Sequence, residues 1–413
     1  MLAQQERKDD KIASLAIILP LAVTGFIVAA GCWTLFAVVG VHLRAELALS
    51  SLQFGVLLAA PMAVSALLAI PAGLAAQRYG ARLVMLWCLA GLALCMLLLL
   101  VANSFSGYLI AASGLGLAGG FYSAGLQFVT SHCETRYMGL VLGIFGAGVT
   151  GAGVTYYLVP LVHNAYSWQG VPLAYLLVLL LVLALLVMVT DDDPSIRESS
   201  LKTPFQQLFS LLCHGRALSL CLYFGVVAGS FFALALWLPD FLSAQFRLHL
   251  GAGASLAQWF VIPGALAQIV GGGLSDHYGS TKVAARALIV CLLALAGLSF
   301  SHVTLFVRGG GGVIEVQFVL PLVFEAAFVV VLGVAMGCAM GSLQRMVILA
   351  NRAEAALFAG FLLVAACSVA FVLPVLFSAV YQWLGISTAV FMILFLLFSG
   401  SLLMLARDIR CDG

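Results

Sequence analysis

Of the 413 residues, 64% are hydrophobic and only 8% charged, so no soluble core could hide the apolar surface of this chain, which therefore belongs in a membrane. A net charge of +2, with no basic run interleaved with aromatics, excludes a nucleic-acid partner. Ten cysteines scattered through apolar stretches, without C-x-x-C or paired Cys/His spacing, support neither a disulfide framework nor a zinc site.

The charged opening MLAQQERKDDK precedes a run too long for a signal-peptide core and reads as a cytoplasmic tail. Apolar runs then predict helices at about 16–41, 52–76, 83–103, 106–131, 138–162, 171–189, 217–240, 254–275, 283–301, 318–343, 355–381 and 384–405, an all-α membrane protein of twelve spans. With both termini placed inside, fifteen of the eighteen Lys and Arg fall in cytoplasmic segments, and only Arg44, Arg247 and Arg308 fall outside. The positive-inside rule thus sets the orientation in the plasma (inner) membrane. The polar stretch Asp191 to Arg216, opening with DDDP, divides the chain into a bundle of six helices over 1–190, a cytoplasmic linker over 191–216 and a second bundle over 217–413.

The fifth run, GLVLGIFGAGVTGAGVTYYLVP from Gly139 to Pro160, is dense in glycine. Each interior glycine costs a helix roughly 1 kcal/mol relative to alanine, a cost offset where another backbone approaches closely. Gly139, Gly143, Ala147 and Gly151 recur at every fourth position and form a groove, with Gly148 beginning a neighbouring row. Such a surface serves either static packing or a sliding contact, and the spacing leaves both open.

The two sets of spans repeat each other. Gly73, Gln77 and Gly80 are matched at an offset of 199 by Gly272, Asp276 and Gly279, while Gly116, Gly120, Leu126 and Gln127 are matched at 217 by Gly333, Gly337, Leu343 and Gln344. An insertion near the RGGGG stretch Arg308 to Gly312 accounts for the difference. Two pseudo-symmetric bundles suggest a secondary carrier of a small solute, and no G-x-x-x-x-G-K-[ST] loop supports an ATP-driven pump. No catalytic constellation favours an enzyme.

The loop Gly73-x-x-x-Gln77-Arg78-x-Gly80-x-Arg82 and its partner Gly272-x-x-x-Asp276-His277-x-Gly279 resemble the signature of major facilitator superfamily transporters. That resemblance implies a cytoplasmic latch in which Asp276 caps a neighbouring helix and pairs with basic residues, for which Arg78, Arg82 and Arg136 are the candidates; the first copy carries Gln77 in place of the acid. Within the superfamily, GLAGGFYSAG (116–125), GIFGAGVTGAGVT (143–155), GSFFALALWLP (229–239) and the run from Trp33 to Pro61 resemble the nitrate/nitrite porter group. The resemblance implies a conformational pivot at Gly143, Gly146, Gly148 and Gly151, with a thinner second copy around Gly360. It also implies two cavity arginines, but their aligned positions here hold Ala69 and Gln268, and the group's asparagine aligns with Val149.

Candidate solute-binding residues are therefore Gln268, Tyr122, Thr150 and Phe231, with interhelical packing as the plainer role for each. Glu325 is expected at the outer rim of the tenth span. Met336 and Met340, four apart, could pass Cu(I) but more simply fill a core. The expected protein is a monomeric carrier without a bound cofactor, coupled or not to an ion; a carrier-like sensor or assembly partner, and a Cu(I) transporter, are the alternatives.

Overall fold

A computed structural model describes residues 2–190, 215–245, 250–300, 302–309, 312–384 and 388–411. Among them, twelve helices are long and apolar enough to cross a membrane. They are α1 (Leu15–Gly40), α2 (Gln53–Tyr79), α3 (Ala81–Val101), α4 (Phe105–His132), α5 (Thr135–Tyr166), α6 (Trp168–Val189), α7 (Leu218–Ser243), α8 (Ser255–Tyr278), α9 (Ser280–Ser299), α10 (Leu322–Ala350), α11 (Ala355–Phe377) and α12 (Ala389–Arg407). Large apolar side chains such as Leu67, Trp87, Met188 and Leu403 face outward, where only lipid would accept them. Most of the expected linker lies outside the described residues.

Local chemistry sets several helix boundaries. Ser50 and Gln53 close a reciprocal capping box that starts α2. Gly80 and Gly279, equivalent at the offset of 199, both take positive φ (97° and 87°) to turn α2 into α3 and α8 into α9, a backbone conformation that glycine accepts freely. Near the opposite end the helix from Thr150 to Val189 runs without a break through Pro160 and Pro172. It nevertheless folds back on itself, because Thr155 and Tyr175, 20 residues apart, are joined by a 2.5 Å hydrogen bond.

The all-α architecture carries one unexpected addition. Residues His302–Gly309 (β1) and Gly312–Val319 (β2) form an antiparallel hairpin between α9 and α10, with His302 opposite Val319 and Gly309 opposite Gly312. From His302 to Val319 is 18 residues, which equals the growth of the repeat offset from 199 to 217. The hairpin is thus the insertion expected at Arg308 to Gly312. It also moves the start of the tenth helix to Leu322 and lets that helix run on to Ala350, past the expected end at 343. Glu325 sits in the first turn of α10 and is fully buried within the protein.

Candidate functional site

The repeat is written into the contacts between the halves. Where α2 meets α11, a Cβ on Gly73 would lie 2.6 Å from the Ala356 carbonyl oxygen, and one on Gly360 would lie 2.9 Å from that of Ala69. Where α8 meets α5, the equivalent residues do the same: Gly272 abuts the Gly139 carbonyl, and Gly143 abuts that of Gln268. These two seams, related by the pseudo-twofold, join the halves at the end that carries Arg78, Arg136 and Arg345, the basic end. Trp33 and Phe232, themselves equivalent at 199, meet edge-to-face at 5.3 Å on the other side of the centre. Tyr156 of α5 also donates there to the Ala235 carbonyl of α7. The halves are therefore in contact both above and below the middle.

Between these contacts lies a cavity of about 10 Å³, roughly the room of one water molecule. Phe26, Trp33, Tyr122, Phe224 and Phe232 give it aromatic walls, and none of its lining residues carries a charge. Gln268, 1% exposed, reaches into it from α8 and donates from Nε2 to the Gly146 carbonyl at 3.1 Å. A second amide stands just behind this lining: Gln344 of α10, fully buried, donates from Nε2 to the hydroxyl of the lining residue Tyr122 at 3.0 Å. Both bonds run from one half to the other. Among the described residues the Gln344 Oε1 has no hydrogen-bond partner, and it lies 3.3 Å from where a Gly146 Cβ would stand.

Two of the expected solute-binding residues take other places. Phe231 stacks on Phe260 at 4.8 Å and is fully buried, while its neighbour Phe232 lines the cavity. Likewise Val149 lines the cavity and the half-buried Thr150 does not. One residue along a helix is a rotation of about 100°, so an off-by-one placement exchanges cavity for core. Gln344 was visible in the sequence only as the repeat partner of Gln127, one residue past the expected end of the tenth span. Met340 touches the cavity, whereas Met336 is packed in the core.

The glycines of α5 serve two surfaces. Gly143 and Gly146 face Gln268 of α8 across the seam, whereas Gly148 and Gly151 face Phe26 and Ile27 of α1 within their own half. A short 3₁₀ turn over Ala147–Val149 separates the pairs. Its tighter winding, about 3.0 residues per turn, shifts the residues that follow around the helix axis, and Gly153 meets Ile262 of α8 again.

Asp276 lies where the latch was expected, but with other partners. Its carboxylate accepts from the first amides of α5 beyond its opening turn, Gly139 N at 3.0 Å and Leu140 N at 2.8 Å. Here the helix's unpaired N–H groups and dipole favour an anion. The guanidinium that meets it is Arg345, at 2.6 Å, which also donates to Ser280 Oγ at 2.9 Å. Arg82 instead bonds Thr190 Oγ1 and the Val187 carbonyl within the first half, while Arg78 and Arg136 lie over the rings of Tyr79 and Tyr137. Arg352 adds a second bridge between the halves, donating to the Cys133 carbonyl and to Thr135 Oγ1. Buried beside it, the Cys133 thiol is pushed up to about 11, by desolvation first. The Asp276 and Arg345 side chains are 8% and 15% exposed, so water screens the pair little. Asp276→Asn is expected to weaken this seam by about 1–3 kcal/mol, seen as faster hydrogen exchange at Gly139 and Leu140. Arg82→Ala should leave those amides protected, and the opposite pattern would return the latch to Arg82.

A family model described as Major Facilitator Superfamily matches residues 21–352. The chain is 29% identical over 394 residues to a protein named "Probable nitrate/nitrite antiporter NarK1" from Thermus thermophilus, covering 92% of this chain and 88% of that one. It is 26% identical over 284 residues to the "Nitrite extrusion protein" of Bacillus subtilis (strain 168), 68% of each chain. Among solved structures, the human organic anion transporter MFSD10 (TETRAN) superposes with a TM-score of 0.71 at 16% identity, covering 95% of this chain and 99% of that one. The transporter FucP in its outward conformation gives 0.71 at 14% identity, with 96% and 99% covered.

Proposed function

Because the chain belongs to the Major Facilitator Superfamily, as a transporter resembling the nitrate/nitrite porters, we propose that it moves a small solute by alternating access between two six-helix halves, divided near 191–216. The observation that carries this reading is a mid-height cavity between the halves, with contacts between the halves on either side of it. A carrier needs its solute site there and needs to open one side at a time. The distribution of Lys and Arg supports a basic end facing the cytoplasm, with both termini on that side of the plasma membrane. The reading is of a monomeric carrier and not an enzyme, with no nucleic-acid partner.

For the solute, the relatives' names suggest nitrate or nitrite, but the residues argue otherwise. The positions matching the porters' two arginines are Ala69, fully buried on the α2/α11 seam, and Gln268, and the cavity lining is uncharged. A buried anion without a cation loses the compensation for its desolvation, a matter of several kcal/mol. The solute is accordingly neutral, cationic, or an anion held by dipoles. The test is uptake into liposomes holding the purified chain, offered nitrate, nitrite, small neutral metabolites, ammonium and Cu(I) in turn. Saturable uptake of a member of this panel supports a carrier. Binding seen by thermal shift without any uptake would favour the sensor or assembly-partner reading, and uptake confined to Cu(I) would point to Met340.

A further inference from the structure

Both amides at the centre spend their donors on the opposite half of the protein, Gln268 on Gly146 O and Gln344 on Tyr122 Oη. The space they leave admits about one water and nothing larger. This conformation therefore excludes any solute and is held by bonds that the protein makes to itself. Among the described residues no charged group lines the centre, so closing it strands no buried ion, the step that makes closure without cargo costly in a charged site. Gln344 keeps one polar amide atom buried beside Gly146 and, among the described residues, unpartnered. Because a carboxamide can turn over, that atom can be an acceptor or a donor. A solute entering here would replace the cross-half bonds and take up the spare one.

We infer that Gln344 is a second solute-contacting amide and that, with Gln268, it clasps the halves together in the absence of solute, so that this carrier returns unloaded and transports without obligatory exchange. The inference rests on the carrier reading above. It differs from the exchange named for the Thermus relative, and it assigns the difference to neutral amides at the centre.

The experiment uses the full chain in nanodiscs with spin labels on introduced non-natural residues. One pair replaces Tyr79 and Tyr278 at the basic end, the other Tyr166 and Phe300 at the far end, all exposed and away from the cavity. Electron–electron distances are measured with no solute added, then with nitrite, nitrate and whichever solute the liposome panel identifies. Without solute, each pair is expected to show a long distance beside a short one, because both ends open in turn. Tyr122→Phe and Gln344→Leu should each lower the fraction short at both ends by about fivefold, the loss of one hydrogen bond. Opening of one end alone, with the other opening only after solute is added, would overturn the inference and leave the carrier standing. Closed fractions unchanged in both variants would overturn the clasp. A single distance at each end under every condition would overturn the inference and the carrier reading together.

Discussion

Nitrate is expected to leave the melting temperature of the natural chain unchanged and to raise that of a Gln268→Arg variant by several degrees. Gln268 already lines the cavity, so an arginine there would place a guanidinium in an aromatic, uncharged space with no partner of its own. An unpaired buried cation costs several kcal/mol, and a planar oxyanion that pairs with it bidentately would recover much of that cost. Arginine at both positions, Ala69→Arg with Gln268→Arg, should add more than a hundredfold in nitrate affinity, since losing one charged partner typically costs about 3–5 kcal/mol. The second substitution has a structural difficulty: Ala69 lies fully buried on the α2/α11 seam, where its carbonyl faces Gly360. The double variant should therefore hold nitrate in open conformations and close poorly. Nitrate uptake in a strain without its own carriers measures transport separately from binding. Vigorous uptake by the natural sequence would refute the residue-level reading of the site.

Leucine at Gly143 should leave each half folded and reduce closure of the basic end at least tenfold, whereas leucine at Gly151 should prevent folding of the first half. The two glycines are eight residues apart in one span, but a Cβ on Gly143 meets the Gln268 carbonyl across the seam, and one on Gly151 meets the Ile27 carbonyl inside its own half. Both obstacles are backbone, which cannot swing aside as a flexible side chain can. Overpacking of this kind costs about 1–3 kcal/mol or more, enough at Gly143 to reduce a closed population tenfold. Size-exclusion chromatography reports the folded yield, and the label pair at Tyr79 and Tyr278 reports the basic end. If Gly143→Leu closes normally, α5 packs statically and is no pivot; if Gly151→Leu folds normally, the α1/α5 contact is looser than its geometry indicates.

Twelve spans were legible because crossing a bilayer requires long apolar helices, and little else in this composition competes with that signal. The hairpin was not. Its strands hold five valines and lead straight into an apolar helix, so the apolar pattern begins the tenth span at 318, inside β2. The insertion itself could be located, since the repeat offset changes across it. At the latch the sequence supplied the acid but not its base, because Arg345 lies 69 residues from Asp276 and the two meet only through the packing of α8 against α10. The glycine periodicity was also incomplete evidence. It showed which residues could share a face, but the 3₁₀ turn that divides that face leaves no mark in a run where every small residue is equally tolerated.

The two seams at the basic end are equivalent in position and unequal in chemistry. The one between α5 and α8 has backbone contact and a carboxylate on two helix amides, held from behind by Arg345 of α10 in its own half; the one between α2 and α11 has the same backbone contact and a half-buried Gln77 where the acid would be. Under the proposed alternating access, such an entrance would not part evenly, like two sliding panels. It would swing, with the α2/α11 edge leaving first and the α5/α8 edge acting as the hinge post, so that solute on that side would enter obliquely along α2 and α11. A duplicated chain can acquire this handedness one residue at a time, because each copy of a contact is encoded separately. Asp276→Asn, by removing the charge from the stronger edge, would return the doorway toward symmetry.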